Sequence, residues 1–180
     1  MSSPSRVEVG ADADPHANVR QPKTRCARVP RRAGVAIGWH DDPMLTTTLS
    51  VHTGRREVVR DLTNECAQFV SSGSADGLLH VFVPHATAGI AILETGAGSD
   101  DDLLAALDNL LPSDDRWRHR HGSPGHGRSH VMPALIPPYA TVPVLSGSLA
   151  LGVWQSICLV DLNVDNADRV VRLSMLTSAG

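Results

Sequence analysis

The sequence predicts an α+β fold built on an antiparallel sheet. Two observations carry that prediction, and a third supports it. Segments with strand character outnumber helical ones, and they mostly follow one another directly along the chain, as antiparallel sheets allow. ATVPVL and SLALGVW also flank Ser146-Gly147, a two-residue hairpin signal.

Residues 1–43 stand apart. They are rich in Pro, Arg, Asp, Ser and Ala, lack sustained periodicity, and are expected to remain a disordered extension ahead of one folded domain over 44–180. From Met44 the pattern changes. LTTTLSVHT is dense in Thr, Leu and Val, and REVVRDL resumes after a turn at Thr53-Gly54. Leu62, Cys66, Phe69 and Val70 take the spacing of an amphipathic helix, with Asp61 or Thr63 to cap it.

LLHVFV and GIAIL are two apolar runs separated by PHATA, and Pro84 should end the first because it cannot donate to a ladder. A second helix is expected over DDDLLAALDNLL. Ser99 and Asp100–Asp102 would cap it, its stripe is Leu103, Leu104, Leu107, Leu110 and Leu111, and Pro112 marks its end. WQSICLVDL and RVVRLSML read as the last strands, joined by the turn-like NVDNAD.

The totals bound the function. With 180 residues, 42% hydrophobic and 19% charged, the chain fits one globular domain. A net charge of −3 gives no reason to expect nucleic acid or an acidic membrane as partner. No run approaches the roughly 20 apolar residues of a membrane helix, and no secretory-type apolar segment opens the sequence. Cys26, Cys66 and Cys158 are odd in number and widely spaced, so a reducing, cytoplasmic setting is expected. Cys66 and Cys158 read as core packing rather than as nucleophiles.

The chemistry concentrates in histidine. RWRHRHGSPGHGRSH, residues 116–130, holds four histidines and four arginines among Gly, Ser and Pro. A catalytic metal site takes about three protein ligands and keeps an open position. Neutral imidazoles and carboxylates suit zinc and similar ions. The candidates are His80, His85, Glu94, Asp100–Asp102, His119, His121, His126 and His130. His80 and His85 have odd separation, so in a regular strand only one would face a given pocket, and His80 reads as a sheet-face residue. Trp117 reads as a packing anchor. For Asp161 and Asp165 turn chemistry suffices. No GxSxG, GxxxxGK[ST] or HExxH motif is present.

HVFVPHATAGIAILE, an acidic-capped helix ending in LLP, then WRH, SH and GSLALGVWQSICLVDL together resemble the YjbQ-like family. The resemblance covers about residues 44–176. It implies a half-barrel of antiparallel strands with two main helices, assembled as a homotrimer. It also implies a pocket completed by a neighbouring subunit, and a secondary thiamine-phosphate synthase activity that couples a thiazole phosphate with a pyrimidine diphosphate. Carried over residue by residue, His85, His119 and His130 become ligands of a divalent ion, zinc or magnesium. Glu94 becomes the general base or an additional ligand, and Thr87, Trp154 and Gln155 become contacts to a small, phosphorylated substrate. The chain departs from the family pattern at Ala86, Leu93 and Met132, the last standing where a lysine usually follows the Ser-His pair. The compensating charge would have to come from Arg128 or Arg120. These losses leave a second reading, a non-catalytic module that binds metal or a small ligand. By these expectations His121 and His126 face solvent.

Overall fold

The computed structural model describes residues 44–73 and 75–177; the extension expected over 1–43 lies outside the described residues. Two antiparallel sheets curve around one core as a half-barrel. The larger has the order β1-β8-β3-β5-β6, from β1 (Leu45–His52), β3 (Gly77–Phe82), β5 (Tyr139–Leu145), β6 (Ser148–Leu149) and β8 (Asp168–Thr177). The smaller has the order β2-β7-β4, from β2 (Val58–Asp61), β4 (Ala88–Leu93) and β7 (Ser156–Asp161). All pairings are antiparallel, as expected, but sequence neighbours pair only in the β5–β6 hairpin. There Ser146 (φ 50°) and Gly147 (φ 72°) supply the two positive dihedrals that a type I′ turn requires.

The other turns move the chain from one sheet to the other. After β1, the amides of Thr53 and Gly54 both donate to the Ala167 carbonyl, which pins the corner against the segment leading into β8. After β3, Pro84 stops the ladder and the chain re-enters in the second sheet as β4. Strand character is local and was legible; the partner of each strand was not.

Between the sheets lie Val51, Leu79, Val81, Val142, Val144, Leu159, Val171 and Leu173, closed off by Leu62, Cys66 and Val70 from α1 (Thr63–Val70) and the residue before it. A second core lies on the other face of β7. There Val160 and Leu162 meet Leu107 and Leu111 from α2 (Ser99–Leu110) and its end, together with Met132. β7 is therefore covered on both faces, and its unbroken apolar run ICLV follows from that position.

Both helices differ in detail from expectation. Asp61 accepts the Thr63 amide at 2.8 Å and so serves the start of α1. The Thr63 hydroxyl instead accepts from the Ile157 amide. At α2 the cap position is Gly98 (φ 97°), and Ser99 makes no capping hydrogen bond, although the three aspartates still lie in the first turn. Leu110 is 68% exposed and does not belong to the buried stripe. Cys66 and Cys158 are buried, and burial pushes both thiols up to about 12, as packing residues rather than nucleophiles require. No helix of the described residues is long and apolar enough to cross a membrane.

Candidate metal centre

The histidine-rich loop follows α2 and is held at three points. Trp117 packs on the second core and its indole N–H donates to the Pro112 carbonyl at 2.9 Å, the anchoring role expected of it. Arg128, 3% exposed, donates to Asp108 Oδ1 (2.6 Å), to the Leu111 carbonyl (2.7 Å) and to Glu57. At Gly127 the backbone runs against Trp117, where an added Cβ would lie 2.4 Å from that of the tryptophan. The loop then closes in a short 3₁₀ helix, His126–His130.

These constraints bring four imidazoles together. His119, His121, His126 and His130 each offer a ring nitrogen, all lying within 4.8 Å of one another. The His126 and His130 Nε2 atoms are 3.0 Å apart, and the His119 ring centroid lies 4.1 Å from those of both His121 and His130. An open cavity of about 310 Å³ adjoins the group, with Trp117, Arg120 and Ser123 also in its wall.

The electrostatics favour lone pairs over protons. Lost solvation, then the neighbouring imidazoles, holds His119 and His130 below the ordinary histidine range, so both are neutral at pH 7. His126 Nδ1 lies 2.6 Å from Asp165 Oδ2, and its side chain is only 8% exposed. Ser123 donates to the same carboxylate through its amide (3.1 Å) and its hydroxyl, which holds Asp165 below the usual carboxylate range. The donor set fits a borderline divalent ion. Two nitrogens bound to one zinc at about 2.0–2.1 Å stand about 3.3 Å apart, close to the observed 3.0 Å pair.

The expected site is only partly assembled. His119 and His130 meet, but they are joined by His121 and His126, which were expected to face solvent. His85 is not in the group: its Nε2 accepts the Val170 amide at 3.0 Å, which occupies the lone pair a metal would need. The cause is Pro84, which ends β3 and leaves this β8 amide to the imidazole. Burial and the Arg169 guanidinium hold His85 below the ordinary range. His80 lies on the sheet face as expected, 3.0 Å from the Thr141 hydroxyl and beside Phe82 and Tyr139.

Behind the histidines a polar chain runs from the exposed Asp165 into the interior. Asp165 donates its amide to Asn163 Oδ1 (2.7 Å), and Asn163 donates its amide to Asp161 Oδ1 (2.9 Å) and its side chain to Thr87 Oγ1 (3.2 Å). Asp161 and Arg169, both fully buried, pair at 2.8–2.9 Å, and the Thr53 hydroxyl donates to Asp161 as well. Thr87 is 6% exposed and serves this network rather than a ligand. Arg128, expected at a phosphate, spends three of its N–H donors on two carboxylates and a carbonyl.

The remaining expected residues lie at the other end of the small sheet. Ala88 pairs with Asp161 and Leu93 with Ser156, so Glu94, Trp154 and Gln155 stand beyond the Ser156 end. That is about 17 Å from Asp161 along β7, counted as five residue steps of about 3.3 Å. Glu94 is exposed, Trp154 is 72% exposed, and Gln155 accepts the Gly152 amide at 2.8 Å. Within one chain Glu94 is neither in the histidine group nor in the wall of its cavity.

Sequence reasoning missed His121, His126 and Asp165. The spacings His119-x-His121 and His126-x₃-His130 were a usable signal, whereas Asp165 lies 39 residues beyond its imidazole partner.

The chain has relatives that it covers over nearly their whole length. Over 133 residues the chain is 58% identical to a UPF0047 protein of Mycobacterium tuberculosis strain H37Rv, spanning 74% of this chain and 98% of that one. Two solved structures share the fold. A YbjQ-like protein of unknown function from Sulfolobus solfataricus P2 has a TM-score of 0.70 and 25% identity over 76% of this chain and 99% of its own. A hypothetical protein from Aeropyrum pernix K1 has a TM-score of 0.68 and 31% identity over 75% and 100%. Residues 47–178 match the family model described as UPF0047 protein YjbQ-like, and the chain belongs to that family.

Proposed function

We propose that the loop after α2 binds one divalent metal ion through His119, His121, His126 and His130, and presents it to a small anionic ligand in the adjoining cavity. The observation that carries this reading is the convergence of four ring nitrogens within 4.8 Å. Of the two ions expected from sequence, an all-imidazole donor set favours zinc over magnesium, which prefers oxygen ligands. When bound, such an ion would polarise a phosphoryl oxygen or lower the pKa of a bound water. Arg120, in the wall of the same cavity beside Asp114 and Asp115, supplies a positive charge for a phosphorylated group.

The metal-binding reading stands ahead of the thiamine-phosphate synthase reading on one observation. Glu94, Trp154 and Gln155 lie at the far end of the small sheet, so the synthase reading needs a neighbouring copy to bring them to the histidines. A homotrimer would give the occasion, and the large sheet offers it a surface. Leu78, Tyr139, Leu145 and Leu176 are 45%, 51%, 57% and 49% exposed in the single chain, and Leu78 pairs with Leu176. Sedimentation equilibrium tests that state, and a monomer at working concentration contradicts it.

Elemental analysis of the untagged chain tests the metal. We expect about one zinc per chain, lost in His130→Ala. Metal-free protein that also fails to take up added zinc contradicts the reading.

A further inference from the structure

We propose that Asp165 is a positioning residue for the metal site: its carboxylate holds the proton of His126 on Nδ1 and thereby aims the Nε2 lone pair at the ion. The proposal rests on the metal reading above, and it concerns a residue whose sequence context offers only a turn.

An imidazole serves as a neutral ligand through the nitrogen that carries no proton, and the partner of the other nitrogen decides which one that is. A carboxylate can only accept, so at 2.6 Å from Asp165 Oδ2 the His126 Nδ1 must be the donor. In the neutral ring Nε2 is then bare, and it is the atom that points to His130 Nε2 at 3.0 Å. Two bare lone pairs at that distance repel. Either a proton on one of the two nitrogens or a cation must lie between them, and a bound cation meets both at once.

A carboxylate that merely completes its own turn would be bonded to amides one or two residues away. Both Asp165 oxygens instead reach across the chain, to Ser123 and His126. The pair is also given room. Gly122 has φ 83°, and a Cβ there would lie 2.5 Å from Asp165 Oδ2 and 2.6 Å from His126 Nδ1. From behind, the bond from the Asp165 amide to Asn163 ties the carboxylate to the buried Asp161–Arg169 pair. The orienting group is therefore carried by the connection between β7 and β8, while the ligands sit on the loop after α2.

The test uses the full chain in two forms of measurement. Nitrogen-15 imidazole NMR of the metal-free protein reads the His126 tautomer, and zinc titration against a competing chelator reads affinity. We expect the Nδ1–H tautomer in the wild type. In Asp165→Ala we expect a mixed tautomer and zinc bound about 10–100-fold more weakly. Asp165→Asn keeps an acceptor but removes the charge; it should fall between the two, and it guards against misfolding of the alanine variant. An Nε2–H tautomer in the wild type, or zinc affinity in both variants within twofold of it, overturns the proposal while leaving the metal reading intact. A wild-type chain that takes no zinc overturns the metal reading, and the proposal with it.

Discussion

The two ends of the β2-β7-β4 sheet are built on different terms. At the Asp161 end, Thr53, Thr87, Asn163, Asp165, Arg169 and Asp161 are joined by hydrogen bonds and an ion pair, mostly away from water, and the histidine loop is seated against them. At the Ser156 end, Glu94 and Gln155 are exposed, and Trp154 places its indole in solvent. Polar groups there cost little to leave in water, whereas each group at the first end depends on its partner. Preorganisation is thus concentrated at one end, and that is the end where a ligand can be held without reordering the protein.

The largest test of this contrast is to break the buried pair. Arg169→Ala leaves the Asp161 charge without its counter-charge in the interior and should cost about 3–5 kcal/mol, read from urea unfolding midpoints. A loss below about 1 kcal/mol would mean that the network carries little. Next in size, Arg128→Ala should cost about 1–3 kcal/mol, because the Leu111 carbonyl loses its charged donor; the same unfolding curves check it.

A pH series sharpens the comparison. His85 has a folded pKa below its ordinary value of 6.5, so as pH falls the unfolded chain takes up this proton first. Its contribution is present above about pH 6.5 and is lost as pH falls toward the lower folded value. NMR titration should show His85 titrating below 6.5, and His85→Ala should remove that part of the acid sensitivity. The smallest effect is expected at the opposite end: Glu94→Ala should shift stability by less than about 0.5 kcal/mol and leave zinc affinity unchanged. Tighter coupling of Glu94 to the metal would show that a neighbouring copy joins the two ends.

Much of the fold was legible because it is written locally. Thr- and Val-rich segments and short apolar runs placed the strands, the leucine spacing placed α2, and Pro84 marked the end of β3. What was hidden depends on distant partners. Thr53-Gly54 reads as a hairpin turn until Ala167 is seen to draw the corner across to the other sheet. The same limit governed the site. His119 and His130 were recovered through family order, and that order also assigned His85, which in the fold caps a β8 amide. His126 reads as a solvated loop residue until Asp165 is placed against it.

The central claim is that a single loop, without His85, makes the metal site. Zinc stoichiometry of His85→Ala and His126→Ala, purified untagged and dialysed side by side, tests it most directly. The account predicts about one zinc per chain in the first and a loss of most of it in the second. Metal lost on removing His85 but kept on removing His126 would contradict it.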